Sequence, residues 1–113
     1  MAGCIFCKIA AGELPSEKIY EDDEILAFND LYPVAPVHAL IIPKVHIDGI
    51  NMAKEGQEAL LGRMLLTAKK IAEQKNLKNG YRILTNVGED GGQSVKHLHF
   101  HIIGGRKLEA KFG

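Results

Sequence analysis

The run His97-Leu98-His99-Phe100-His101-Ile102-Ile103 constrains this chain more than any other segment. Three imidazoles alternate with bulky apolar side chains, and along a β-strand successive side chains leave on opposite faces. The spacing therefore predicts a strand that carries His97, His99 and His101 on one surface and Leu98, Phe100 and Ile102 on the other. One face is chemical and the other belongs to the core. An appended histidine tract sits at a terminus among polar residues, whereas this run is internal and bracketed by Gly91-Gly92 and Gly104-Gly105.

The rest of the chain supplies partners for that strand. Residues 6–11 predict one or two helical turns, stopped by Gly12 and Pro15. Residues 18–21 and 24–28 flank the turn-forming pair Asp22-Asp23 and predict a hairpin. A stiff connection, Asn29-Asp30-Leu31-Tyr32-Pro33-Val34-Ala35-Pro36, leads to a strand over 39–42 that ends at Pro43, which has no N–H to donate. From 52 to 76 the period changes: Leu61, Met64, Leu65, Ala68, Ile71 and Ala72 recur at helical spacing. Glu55 and Glu58 lie early, Lys69, Lys70 and Lys75 lie late, and Gly80 follows, an order that complements the helix dipole. A strand over 81–86 and a Gly-rich loop over 87–93 complete the chain. The expected fold is α+β: a mostly antiparallel five-stranded sheet, one long helix and a short N-terminal helix, in a single domain over residues 1–113.

Composition excludes some functions. Fourteen basic and fourteen acidic residues cancel, so there is no clustered positive charge of the kind on which sequence-independent nucleic-acid binding depends. No apolar segment is long enough to cross a bilayer, and the first residues show neither a basic stretch nor a signal-like apolar run, so a cytoplasmic protein is expected. In that reducing setting the pair Cys4 and Cys7 is expected as thiols or metal ligands and not as a structural disulfide.

Alternate rings on a strand stand about 6.6 Å apart and run side by side, so convergence of all three on one metal is strained. Two imidazolium charges at that spacing repel by ~2.5 kcal/mol at an effective dielectric of 20. Protonating one ring therefore depresses its neighbour, which leaves a neutral nucleophile beside an electrostatic stabiliser. That pairing suits attack on an anionic phosphorus centre. The loop Glu89-Asp90-Gly91-Gly92-Gln93-Ser94-Val95 adds glycines that let backbone N–H groups approach a phosphate, with Gln93 and Ser94 as side-chain donors.

His-x-His-x-His followed by two apolar residues resembles the histidine triad (HIT) superfamily, and the similarity is greatest to its Hint branch of nucleotide-binding hydrolases. It runs through Ile5-Phe6-Cys7-Lys8-Ile9, Tyr20-Glu21-Asp22-Asp23, Phe28-Asn29-Asp30, Ala35-Pro36-Val37-His38, Ile42-Pro43-Lys44, Gly80-Tyr81-Arg82 and Gly91-Gly92-Gln93-Ser94-Val95 into the triad. The resemblance implies a HIT-like fold and hydrolysis of purine nucleoside phosphoramidates or acyl-nucleotides. By position, His99 resembles the nucleophile that forms a nucleotidyl-histidine. His101 resembles the contact to phosphate and leaving group, His38 its relay partner, and His97 the residue whose carbonyl orients His99. Asp30 resembles the ribose-holding carboxylate, and Phe28, Asn29 and Leu31 the walls of a base cleft. Asn86, Gly92, Gln93, Ser94 and Val95, together with His99 and His101, match the phosphate and leaving-group contacts.

The resemblance implies no metal for catalysis. It does allow a structural zinc on Cys4, Cys7, His46 and His97, since some members pair an N-terminal Cys-x-x-Cys with two such histidines. It further implies a homodimer through the long helix and the Tyr81 strand. The tail Lys107-Leu108-Glu109-Ala110-Lys111-Phe112-Gly113 departs from better-known Hint tails. Two alternatives remain at this level: a diadenosine polyphosphate hydrolase of the same superfamily, and a non-catalytic nucleotide-sensing scaffold protein.

Overall fold

A computed structural model describes residues 3–112. The elements are α1 (Ile5–Ala10), β1 (Lys18–Glu21), β2 (Ile25–Asn29), β3 (Val37–Pro43), α2 (Glu58–Gln74), β4 (Tyr81–Leu84) and β5 (Phe100–Gly104), with a 3-10 turn at Ile50–Met52. The strands form one five-stranded sheet in the order β1-β2-β3-β5-β4. Every pairing is antiparallel.

Both faces of the sheet centre are covered, which is why β2 and β3 read as nearly continuous apolar runs. On one face Ile25, Ala27, Ala39, Ile41, Leu98, Phe100 and Ile102 pack beneath Leu60, Met64, Ala68 and Ile71 of α2. On the other, Leu26, Phe28, Leu40 and Ile42 pack against Phe6 and Ile9 of α1. Fully burying a side chain of this size stabilises by roughly 1.5–3 kcal/mol, so the α2 layer carries most of the hydrophobic stabilisation. The short α1 covers only part of the second face, and the uncovered part becomes a cleft.

The strand expected over 39–42 begins earlier, at Val37, the one expected over 81–86 stops at Leu84, and three further boundaries differ from the sequence reading. The long helix starts at Glu58 and not near Met52. Gly56 adopts φ +95 and Lys54 N–H donates to Gln57 Oε1, so the chain turns there before it coils, and Glu55 stays outside the helix. At the far end Asn76, with φ 57, takes the left-handed position that closes the helix, ahead of Gly80. The histidine run pairs as a strand only from Phe100. Before it, Leu98 N–H donates to Ile47 O and His97 N–H to Val95 O, so residues 97–99 are pinned by irregular bonds and not by a ladder. The alternation of sides nevertheless persists: Leu98, Phe100 and Ile102 join the α2 core, while His97 and His99 both meet Phe6 on the α1 face.

Candidate active site

A cleft of about 240 Å³ opens on the α1 face between α1, the end of β2 and the approach to β5. Phe6 and Ile9 of α1, Phe28 of β2 and Leu40 of β3 form apolar walls, and Leu31 and Tyr32 stand exposed at the rim. Asn29, Asp30, Ser94, Val95, His99 and His101 bring the polar atoms. A larger hollow of about 720 Å³ beside the 76–80 turn is lined by no histidine, cysteine or carboxylate. The chemistry therefore converges on the smaller space.

His99 is held in one tautomer. Its Nδ1 lies 2.7 Å from the His97 carbonyl, which only accepts, so Nδ1 carries the proton and Nε2 the lone pair. Ser16 Oγ is the one sealed side-chain polar atom without a partner among the described residues, so the unpartnered Nε2 of His99 still reaches the cleft although the residue is only 3% exposed. Burial chiefly lowers the proton affinity of the ring and favours the neutral, nucleophilic form.

His101 lies beside it, ring centroids 5.0 Å apart. Burial, then the neighbouring His99 and His38, push it down to about 4. Its Nδ1 is 2.9 Å from His38 Nε2. The two residues lie on adjacent strands, where β3 and β5 pair Leu40 with His101 and His38 with Ile103, so they are diagonal neighbours on one face. Val34 N–H donates to His38 Nδ1 at 3.2 Å, which assigns the His38 proton to Nε2, where it is donated to His101. His101 in turn keeps its proton on Nε2. Asp30 Oδ2 approaches His38 Nε2 at 3.4 Å. Asp30, His38 and His101 stand close enough to hold a metal ion, yet a protonated Nε2 is a donor and not a ligand, so the bonding makes this cluster a proton chain.

The second cluster has the opposite character. The ligand atoms of Cys4, Cys7, His46 and His97 all lie within 4.8 Å of one another. Cys4 Sγ is 3.3 Å and Cys7 Sγ 3.6 Å from His97 Nδ1, and Cys7 Sγ is 3.2 Å from His46 Nδ1. A tetrahedral thiolate–imidazole site has edges of about 3.5 Å. The outer nitrogens are already engaged, His46 Nε2 with Asp48 Oδ1 at 2.7 Å and His97 Nε2 with the Pro43 carbonyl at 2.8 Å. Both Nδ1 lone pairs therefore face the thiols, the arrangement that outer partners impose on metal-ligating histidines. Burial and the adjacent Cys4 push the Cys7 thiol up, which disfavours a thiolate until a cation stands beside it.

Three residues matched to phosphate contacts stand outside the cleft lining. Asn86 Nδ2 donates to Gly91 O. Gln93 accepts from Gly88 N–H and donates to Asp48 O and Val95 O, so its amide ties the loop to the chain ahead of the 3-10 turn. A Cβ at Gly91 would lie 2.3 Å from Val87 O, so that glycine serves closure of the loop itself, and Gly92 at φ +75 completes the turn. Conversely, Ile5, Phe6, Ile9, Ser16, Tyr32 and Leu40 line the cleft without having been singled out. The i, i+4 pair Ile5 and Ile9 signalled an apolar helix face, but nothing local said that this face would roof a site.

The family model for the HIT domain matches residues 11–108. The chain belongs to the HIT family. A HIT family hydrolase from Legionella pneumophila Philadelphia 1 is 48% identical and superimposes with a TM-score of 0.94 over 96% of this chain and 97% of that one. A histidine triad nucleotide-binding protein from Candida albicans is 33% identical, with a TM-score of 0.81 over 98% of this chain and 86% of that one. A 14 kDa zinc-binding protein from Brassica juncea is 50% identical over 106 residues, 92% of this chain and 94% of that protein. The five-stranded antiparallel sheet with two helices is the HIT fold of the solved relatives. Among the described residues no helix is long and apolar enough to cross a membrane.

Proposed function

We propose that this HIT-family chain is a nucleotide-binding hydrolase that cleaves purine nucleoside phosphoramidates or acyl-nucleotides through a covalent intermediate on His99. The observation that carries the reading is the 2.7 Å bond from His99 Nδ1 to the His97 carbonyl, which leaves the Nε2 lone pair as the nucleophile. The Legionella hydrolase and the Candida nucleotide-binding protein support its coarse form. In the first half-reaction Nε2 forms a bond to the α-phosphorus and the bond from phosphorus to the leaving group breaks. The electron pair departs with the leaving atom, which takes a proton from His101 Nε2. Water then attacks phosphorus and gives a proton back to His101 Nε2, the His99–phosphorus bond breaks with its electron pair returning to His99 Nε2, and the nucleoside monophosphate leaves. In this reading Asp30 holds the ribose, Phe28, Asn29 and Leu31 wall the base, and Ser94 and Val95 border the phosphate with Gly92, Gln93 and Asn86 shaping the loop behind them.

The test is an alkaline denaturing quench, under which a phosphorus–imidazole bond survives, during the first turnover of adenosine 5′-phosphoramidate. Intact-protein mass spectrometry is expected to find one adenylyl group on wild type, mapped to His99, and none on His99→Ala. An adduct on another side chain, or equal monophosphate release by both proteins, would falsify the assignment.

The same reading gives Cys4, Cys7, His46 and His97 a structural zinc, which their donor chemistry fits and the Brassica relative supports. Such an ion has no open position for a reactant, and it would tie α1 to the start of the histidine run. A homodimer is part of the reading as well. β4 is an edge strand whose exposed Tyr81 and Ile83 alternate with its half-buried residues, and Leu65 and Leu66 of α2 are exposed apolar side chains. Sedimentation at micromolar protein is expected to give twice the chain mass.

A further inference from the structure

Asp30 faces two groups at once. Its Oδ1 accepts Tyr32 N–H at 2.8 Å, and its Oδ2 lies 3.4 Å from His38 Nε2. That nitrogen carries the only proton of the His38 ring, because Val34 N–H occupies Nδ1. The proton is directed to His101 Nδ1 at 2.9 Å, and the Asp30 carboxylate stands beside it at ion-pair distance, as the competing acceptor. Drawn toward the carboxylate, it releases His101 to move its own proton to Nδ1 and to turn a lone pair toward the cleft. Given to His101, it locks that ring with its proton on Nε2, the only tautomer that donates to a leaving group. A misassigned tautomer in a catalytic histidine leaves geometry intact and lowers turnover.

We propose that Asp30 is a positioning residue that couples a bound ribose diol to the tautomer of His101. With the 2′- and 3′-hydroxyls on Oδ2, the carboxylate's lone pairs are satisfied and the His38 proton goes to His101. Without them, Asp30 withholds it. The inference rests on the reading that the cleft takes a ribonucleotide, and it adds that the ribose acts on the chemical step as well as on affinity, as remote binding interactions do when they are realised in the transition state. Among the described residues no second carboxylate is paired with the His38 ring: Glu17 lines both the cleft and the neighbouring hollow that His38, Asp30 and Lys75 share, but makes no ion pair or hydrogen bond with that ring.

The experiment compares adenosine 5′-phosphoramidate with its 2′,3′-dideoxy counterpart. Wild type is expected to lose about tenfold in kcat on the dideoxy substrate, the effect of one charge-assisted hydrogen bond, in addition to a rise in KM. Asp30→Asn is expected to close that gap from below. Its amide oxygen still accepts Tyr32 N–H, its NH₂ cannot accept from His38, and kcat on the dideoxy substrate therefore rises while KM for the ribose substrate stays high. The ¹⁵N spectra of the His101 ring give a reading that needs neither turnover nor a variant. AMP is expected to fix the Nε2–H tautomer, and 2′,3′-dideoxy-AMP to leave a mixture. A loss confined to KM, with identical His101 spectra in the two complexes, overturns the coupling and leaves Asp30 as a binding residue. If neither phosphoramidate is hydrolysed, the functional reading fails, and the two spectra still decide the coupling.

Discussion

Two clusters in this molecule look alike as lists of residues. Cys4, Cys7, His46 and His97 form one, and Asp30, His38 and His101 the other, each with donor atoms close enough to grip an ion. They differ in what the far side of each imidazole touches. At the first, Asp48 and the Pro43 carbonyl take the outer N–H groups, so the inner nitrogens present lone pairs to the thiols. At the second, Val34 N–H takes a lone pair, so the inner nitrogen presents a proton. Ligand and relay are separated by one hydrogen bond per ring and not by residue type. His97 and His99, two positions apart, each give one N–H to a backbone carbonyl and present a lone pair at the other nitrogen, His97 toward the thiols and His99 toward the cleft.

The most severe break is His99→Ala, expected to lower turnover by about 10⁶-fold, the scale for removing a covalent nucleophile, with the proposed zinc retained. Loss of zinc from the same variant would mean that the two clusters are not independent. If Cys4, Cys7, His46 and His97 hold the proposed zinc, a chelator is expected to lower unfolding free energy by about 4 kcal/mol relative to protein with zinc 1,000-fold above its Kd, read from urea titrations with and without metal. An unchanged midpoint would remove the structural role.

Asp48→Ala probes the outer partner of His46 alone. Zinc affinity is expected to fall by about 10–100-fold, measured against a chromophoric chelator, while monophosphate release from metal-saturated protein stays at the wild-type rate. The mildest effect concerns protons. Unfolded, His101 titrates near 6.5; in the fold it does so only at about 4. Between those values the unfolded chain binds the proton and the folded chain does not, so stability falls as pH drops through that window and levels off below it. His101→Gln is expected to shallow the slope of urea midpoint against pH. Part of the slope remains, because burial also lowers His97 and His99. A steeper slope in the variant would contradict the burial of that ring.

Much of the frame was legible because it depends on local period. Alternation along 97–103 assigned sides correctly even where the ladder is missing, since side-chain direction follows the extended backbone and needs no partner strand. The helix start was misread because Leu61 and its successors define a period but no beginning. The beginning lies in a turn at Gly56, where a positive φ, invisible to hydropathy, interrupts the chain. Phe28, Asn29, Asp30, Leu31, Ser94 and Val95 do line the cleft, but only the family resemblance pointed to them, since apolar residues beside a strand ordinarily pack in a core. Its α1 wall was not legible, because packing of Phe6 against His97, His99 and Phe28 joins residues from three distant segments.

By itself the sequence determined which residue types stand at which period: three in-phase histidines, an amphipathic helix and a Cys-x-x-Cys pair, hence an α+β sheet with one reactive face and a choice of possible ligands. Tertiary structure alone decided how those histidines divide their work. His38 meets His101 across 63 positions through the β3–β5 register, and His46 and His97 meet the cysteines through the docking of α1. An imidazole is donor, acceptor, nucleophile or ligand according to the bond at its other nitrogen. That bond is made by whichever backbone group the fold brings near.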